Sequence, residues 1–321
     1  MSLDGRIGVF LVMVPLSLMA QQDPQFGQYM MNPYIWNPAY PVLKDQMAVS
    51  FHHRTQWQGY KTSYGSDQIS APSTQLFTAA IPVPKFKSGT GLQVMNDNIG
   101  PLRNFNVGIT YAYRIDVGAT GKIGVGIGIG ASSLYINSDL WRAENPNDPT
   151  LAATNYNSVN QLKPNFKLGV AYSNDKLYLG ISVNNVATPT YSFSTSTIES
   201  KLVRHYYLQS SYLISLSDRV DMQPSILVKS ISGVQSYEMS DVFFFHKVWV
   251  GLSYRTADAL IGLVGLNLLA DNSLKLGYNI DLSVINTSAK ALTSHEIYIS
   301  YNFGSFLDNR KPIVRSPRFR F

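Results

Sequence analysis

Between residues 273 and 282 the chain reads SLKLGYNIDL, and apolar and polar residues alternate along most of it. Leu274, Leu276, Tyr278 and Ile280 fall on one side of an extended chain, while Ser273, Lys275, Gly277, Asn279 and Asp281 fall on the other. Successive side chains of a strand point to opposite faces, so this segment has one greasy and one wet face. About 14 such segments follow one another, most joined by turns of Gly, Asn, Asp and Ser. A soluble sandwich uses the same faces. Repetition around most of 321 residues, behind an apolar leader and without cysteine, points instead to an all-β transmembrane barrel of the outer-membrane type, with antiparallel strands.

The pattern predicts strands over 46–57, 73–83, 89–96, 102–114, 122–136, 165–173, 176–186, 202–214, 219–229, 236–245, 248–255, 259–269, 273–282 and 295–303. Short turns at 84–88, 116–121, 174–175, 215–218, 246–247 and 270–272 fall on one side. Long connections at 58–72, 137–164, 187–201 and 283–294 fall on the other, together with short ones at 231–235 and 256–258. Outer-membrane barrels keep short turns in the periplasm and long loops outside, so an even strand count places both termini in the periplasm. The expected organisation is a signal peptide over 1–20, a periplasmic N-terminal segment over 21–45, the barrel over 46–304 and a basic periplasmic tail over 305–321. Arg6 supplies the positive start of the signal, residues 7–18 its apolar run, and Leu18-Met19-Ala20 a cleavage site before Gln21.

Composition narrows the class. Charged residues make up 14% of the chain, against roughly 25% in soluble domains. Aromatics reach 12%, with 20 Tyr to 4 Trp, and tyrosine suits the boundary between lipid and water. Past the leader no apolar run approaches the roughly 18 residues of a membrane helix. The absence of cysteine excludes disulfides, thiol catalysis and cysteine-bound metal. The net charge of +6 is small for this length, and its clearest cluster is the C-terminal tail, which argues against nucleic acid.

No catalytic set, metal site or cofactor motif emerges. His52, His53, His205, His246 and His295 lack HExxH spacing, and no serine sits in a GxSxG elbow. His52 and His53 are adjacent, so in a strand they face opposite ways. The glycines of 124–130 alternate with Ile and Val rather than forming GxGxxG or a P-loop. They leave room for another backbone or side chain to approach, with glycine toward the lumen and Ile/Val toward lipid. Oxygen-rich 144–148 is a solvated outer loop in the simpler reading and a divalent-cation loop in the other.

Two segments outside the strands carry their own signal. Residues 21–40, QQDPQFGQYMMNPYIWNPAY, hold Pro24, Pro33 and Pro38, which forbid a long regular element, yet are too apolar for a free linker. The segment either folds into the barrel's periplasmic mouth or binds a partner there. The tail carries Arg310, Lys311, Arg315, Arg318 and Arg320 with no acid after Asp308. It is either a solvated end or a basic arm for an acidic periplasmic surface.

These residues resemble the PorP/SprF family of Bacteroidota outer-membrane proteins, associated with type IX secretion and gliding motility. The likeness begins at Gln22-Asp23-Pro24-Gln25-Phe26, continues through Gln28-Tyr29-Met30, Asn37-Pro38-Ala39-Tyr40, Arg54-Thr55-Gln56-Trp57 and Ala71-Pro72-Ser73-Thr74, and closes with Ser316-Pro317-Arg318-Phe319. Gly27 stands where the family often has serine, and Pro41-Val42 where it has Ala-Gly. The resemblance implies a non-enzymatic barrel that holds a secreted surface protein with a type IX C-terminal domain and connects to periplasmic secretion or gliding components, embedded in outer-membrane lipid. The residues expected to contact partners are Phe26, Tyr29, Asn32, Trp36, Asn37 and Tyr40 at the mouth, with Arg315, Arg318 and Phe319 on the tail. Arg54 and Trp57 either fix the first strand to its loop or line the lumen. The rival reading is a channel for small or hydrophobic solutes, and a third is a barrel lipid enzyme using His52, His53 or His295.

Overall fold

The computed structural model describes residues 23–60, 71–137, 159–192, 199–269, 272–285 and 291–304. Fourteen antiparallel strands close into one barrel. In chain order they are Ala48–Thr55, Ser73–Val83, Ser88–Ile99, Leu102–Val117, Gly121–Ile136, Val159–Ser173 and Leu177–Asn184, then His205–Tyr212 continued by Ile214–Ser217. The last six are Val220–Ile231, Val234–Phe245, Val248–Arg255, Ala259–Leu268, Leu274–Ser283 and Thr293–Asn302. The first strand pairs with both the second and the last, which closes the ring and removes any free edge there. A short ribbon, Thr190–Ser192 with Glu199–Lys201, stands in the connection between the seventh and eighth strands.

Every expected strand is present, most with bounds shifted by one to three residues. The third and fourth run on to Ile99 and Val117, and the sixth begins at Val159 rather than 165. Pro164 hides that sixth-strand extension from a sequence reading. It is tolerated because residues 159–167 pair with the fifth strand alone; the ladder to the seventh begins at Leu168. A second proline explains the broken eighth strand. Pairing with the ninth stops at Ser211–Ser225 and resumes at Ile214–Met222, so the gap lies opposite Pro224, which has no N–H to give. On the long-loop side the turn at Gly100-Pro101 adds a third short connection to the two expected.

The period-two pattern divides the wall as expected. Ile109 and Leu252, each nearly two-thirds exposed, stand among Val107, Tyr111, Val125, Ile127, Val264 and Ile297 on the outer face. An apolar surface of this extent needs lipid around it. His52 and Arg54 point inward, as do Thr78, Gln209, Glu238 and Asn279. Gly124, Gly126 and Gly128 share that inner face, while Val125, Ile127 and Ile129 face out.

Candidate functional site: a plugged lumen

The lumen is filled by the chain's own residues 23–45. Prolines shape this segment: Pro33 and Pro41 sit in the first turns of two 3-10 helices, Pro33–Ile35 and Tyr40–Val42, which follow a third, Tyr29–Met31. Their fixed φ suits a first helical position, where no N–H is needed. Asp23 lies at the long-loop end, 2.8 Å from His205. Asp45 lies at the short-turn end, 2.6 Å from Lys122 Nζ. The described part of the segment thus runs from one end of the lumen to the other rather than staying at the short-turn mouth. Twenty-odd residues at roughly 2–3.3 Å each are long enough to thread a lumen of this height and still return to Ala48 at the short-turn end.

The wall is cut to receive this plug. A Cβ on Gly126 would land on the Pro38–Ala39 peptide, and one on Gly124 would lie 2.8 Å from Ala39 O. One on Gly89 would lie 2.9 Å from the Val42 backbone. The glycine face foreseen in the fifth strand thus accommodates a backbone, and that backbone is the Asn-Pro-Ala-Tyr turn. Asn37 organises the turn. Its Oδ1 accepts from Ala39 N at 2.9 Å, while its Nδ2 donates to Val170 O at 3.1 Å and Ile181 O at 3.3 Å.

Further polar contacts fix the rest. Gly27 N donates to Glu296 Oε2 at 2.7 Å, and Gln28 Nε2 to Asn279 Oδ1 at 3.0 Å. Asn32 Nδ2 reaches Ser50 Oγ at 2.7 Å and Thr78 Oγ1 at 3.1 Å. Tyr29 OH lies 3.0 Å from Ser240 Oγ, and Tyr34 OH donates to Thr110 Oγ1 at 3.0 Å. Both tyrosines are buried, and these bonds satisfy their hydroxyls away from water. Phe26 meets the His52 ring edge-on at 5.1 Å, and Trp36 packs on Tyr207 at 4.8 Å with Lys229 Nζ 4.8 Å from its ring centre.

A buried ionic network backs this interface. Arg54 pairs with Asp281 at 2.7 Å, and Arg255 with Glu238 at 2.7 Å, Asp281 at 3.2 Å and Asp258 at 3.1 Å. His52 Nδ1 lies 3.0 Å from Glu296 Oε1, on the carboxylate that also takes the Gly27 amide. Several partners satisfy each carboxylate, as charges in a low-dielectric interior require. At the far end Tyr207 OH donates to Asp23 Oδ2 at 2.7 Å. Burial pushes the Asp23 carboxyl up, but the His205 charge, the hydrogen bonds from His205 and Tyr207, and Lys167 together hold it below the usual carboxylate range.

Of the residues singled out from sequence, Phe26, Tyr29, Asn32, Trp36, Asn37 and Tyr40 are buried against the inner wall rather than displayed at a mouth. Arg54 faces the lumen, and Trp57 lies past the first strand at the long-loop end, its backbone N donating to Ser294 Oγ at 3.1 Å. Arg315, Arg318 and Phe319, residues 1–20 and the 144–148 loop lie outside the described residues. Glu238, Arg255 and Glu296 were not foreseen from sequence, and His205 was seen there only as one of five scattered histidines. Their one signal is a charged or titratable residue at an inward position of an alternating strand. Among the described residues no cluster of His, Asp and Glu is arranged to hold a metal.

The plug leaves a vestibule at each end. One of about 440 Å³ lies at the short-turn end beside Tyr40, Lys44, Lys122 and Asp175. One of about 290 Å³ lies at the long-loop end beside Asp23, Arg54, Trp57, Asp97 and Asp281.

The family described as type IX secretion system membrane protein PorP/SprF matches residues 18–301. In fold the chain is similar to the Ralstonia pickettii toluene transporter TbuX, at 11% identity and TM-score 0.53, over 86% of this chain and 93% of that one. It is also similar to a TodX ΔS2S3 mutant monoaromatic hydrocarbon channel, at 10% identity and TM-score 0.51, over 87% and 94%. Identities this low speak to the fold alone. No curated protein sequence matches the chain. The fold and the family match together place the barrel in the outer membrane.

Proposed function

This chain belongs to the PorP/SprF family of type IX secretion system membrane proteins, and on that premise we propose that it is a non-enzymatic anchor. Its long-loop end holds a secreted surface protein bearing a type IX C-terminal domain. Its short-turn end, together with the basic tail around Arg315, Arg318 and Phe319, contacts periplasmic secretion or gliding components. The long loops therefore face outward, and strand ends Ala48 and Asn302 face the periplasm.

One observation carries this reading: the lumen is packed by residues 23–45, hydrogen-bonded to strands around the ring. A barrel whose inner face is committed to a plug offers its two ends, not its bore, for function. The family is one of secretion-system membrane proteins rather than enzymes. In this reading Phe26, Tyr29, Asn32, Trp36, Asn37 and Tyr40 act on partners indirectly, by holding the shape of both vestibules, while Arg54 and Trp57 border the outer one. Affinity purification of the full-length protein from native outer membranes, with the bound proteins identified, tests the proposal. A co-purifying secreted protein with a type IX C-terminal domain is the expected result; recovery of the barrel alone overturns it. The rival reading, a channel for small or hydrophobic solutes, rests on the fold shared with toluene transporters. It requires uptake by liposomes carrying the purified barrel.

A further inference from the structure

The wall is uneven at the long-loop end. Residues 159–167 of the sixth strand have no ladder to the seventh, and the connection after Asn184 folds across the break. Gln161 exchanges hydrogen bonds with the Ser192 backbone there, and Arg204 Nε donates to Val186 O at 3.1 Å. Behind this patch, between plug and wall, lie two adjoining cavities of about 80 and 70 Å³ that share Asp23, Asn104, Ser132 and Leu202.

Their lining combines amides with apolar and aromatic surface. Six amide side chains converge on the larger cavity: Gln93, Asn104, Asn106, Asn165, Asn184 and Asn185. Trp36 and Phe26 supply aromatic surface on the plug side. Gly108, Gly128 and Gly130 leave the opposite wall without side chains. Among the described residues, several polar atoms in this lining have no hydrogen-bond partner: Trp36 Nε1, Asn165 Oδ1, Asn184 Oδ1 and Asn185 Nδ2 beside the larger cavity, and His205 Nε2 beside the smaller. Trp36, Asn184, Asn185 and His205 are each at least 97% buried. Buried donors and acceptors are ordinarily satisfied, and each one left open costs about 1–3 kcal/mol. The charges nearby are already engaged: Lys167 Nζ donates to Gln93 Oε1 at 2.6 Å, and Asp23 pairs with His205.

We propose that this amide-lined chamber is a binding site for a sugar unit, a neutral polyhydroxylated ring of hexose size. Planar amides present a donor and an acceptor side by side, which matches vicinal hydroxyls, and the aromatic faces of Trp36 and Phe26 suit the C–H face of a pyranose. The two cavities together hold on the order of five waters at roughly 30 Å³ each, about the space that a hexose ring takes up. Hydroxyls replacing water at such positions keep the hydrogen bonding intact, which an apolar ligand cannot do. Rotation about the asparagine side-chain torsions brings the open amide atoms toward the ligand.

The test uses the full-length barrel in detergent, titrated calorimetrically with glucose, galactose, mannose and N-acetylglucosamine in turn, and with toluene as the apolar probe. At least one sugar is expected to bind saturably in the millimolar range, with toluene silent. Gly108→Leu fills the chamber, and the start of its side chain fits, since a Cβ there meets nothing nearer than Ile129 O at 3.6 Å. It should weaken the sugar at least tenfold while the barrel keeps its heat-dependent gel mobility. Asn184→Ala, which removes an amide without adding bulk, should weaken it in the same direction. Binding of none of the four sugars to the wild type overturns the assignment, as does undiminished affinity in both folded variants or binding of toluene alone.

Discussion

Replacing Gly126 with alanine isolates the plug–wall contact from the rest of the fold. The new methyl group would overlap the Pro38–Ala39 peptide, whose atoms are all backbone. The strand cannot retreat, because Gly126 is paired with Ala112 on one side and Gly169 on the other. The plug must shift instead. Overpacking of this kind costs about 1–3 kcal/mol. The opposing effect, a gain of about 0.4–1 kcal/mol from a less flexible unfolded chain, applies equally whether the plug is seated or not. The net effect raises the unseated fraction roughly 5- to 150-fold. The chain has no cysteine, so Met30→Cys, at a plug position 5% exposed, reports unseating through its rate of maleimide labelling. Gly108→Ala is the matched control, with its nearest neighbour at 3.6 Å. Equal labelling rates in the Gly126→Ala and Gly108→Ala backgrounds would refute the claim that the fifth-strand glycines exist to seat the plug.

Other perturbations follow from the same contacts. Glu296→Gln removes the charge facing Arg54 and His52 and weakens the acceptor for Gly27 N; breaking a buried pair costs about 3–5 kcal/mol, so the temperature at which the barrel loses its folded gel mobility should fall. Asp23→Asn removes the anion held by His205 and Tyr207 and should speed proteolysis of the plug's first residues without opening the barrel. Because the Asp23 carboxyl lies below its usual range, its contribution is complete above the unfolded value near 3.9 and is lost only as pH falls through the depressed one; protease resistance should therefore be retained as the pH is lowered from about 6 to about 5, a window in which its partner His205 carries its proton. Deleting residues 310–321 should leave a heat-resistant barrel and reduce recovery of periplasmic partners in pull-downs, and unchanged recovery would remove the tail from the account.

The strands were legible because period-two alternation is local. Leu274, Leu276, Tyr278 and Ile280 declare their face with no help from distant residues. Pro164 and Pro224 mark the places where the ladder fails, but only the neighbouring register shows whether a missing N–H matters. The plug was half legible. Phe26, Tyr29, Trp36 and Tyr40 are too apolar to face water, and the glycines of 124–130 announce a close approach. Nothing along the chain joins the two, because the match of Pro38 with Gly126 depends on the segment threading the bore. The ionic network was hidden for the same reason: Arg54 meets Asp281, and His52 meets Glu296, only after the ring closes between the first and last strands.

The central claim is that the bore is occupied by the chain's own amino-terminal segment, leaving the two ends to do the work. Single-channel recording of the purified wild-type barrel in a planar bilayer tests it most directly, with a variant lacking residues 23–43 as the open reference. The account predicts a silent wild type and a conducting deletion. A steady open-pore current from the wild type would contradict it.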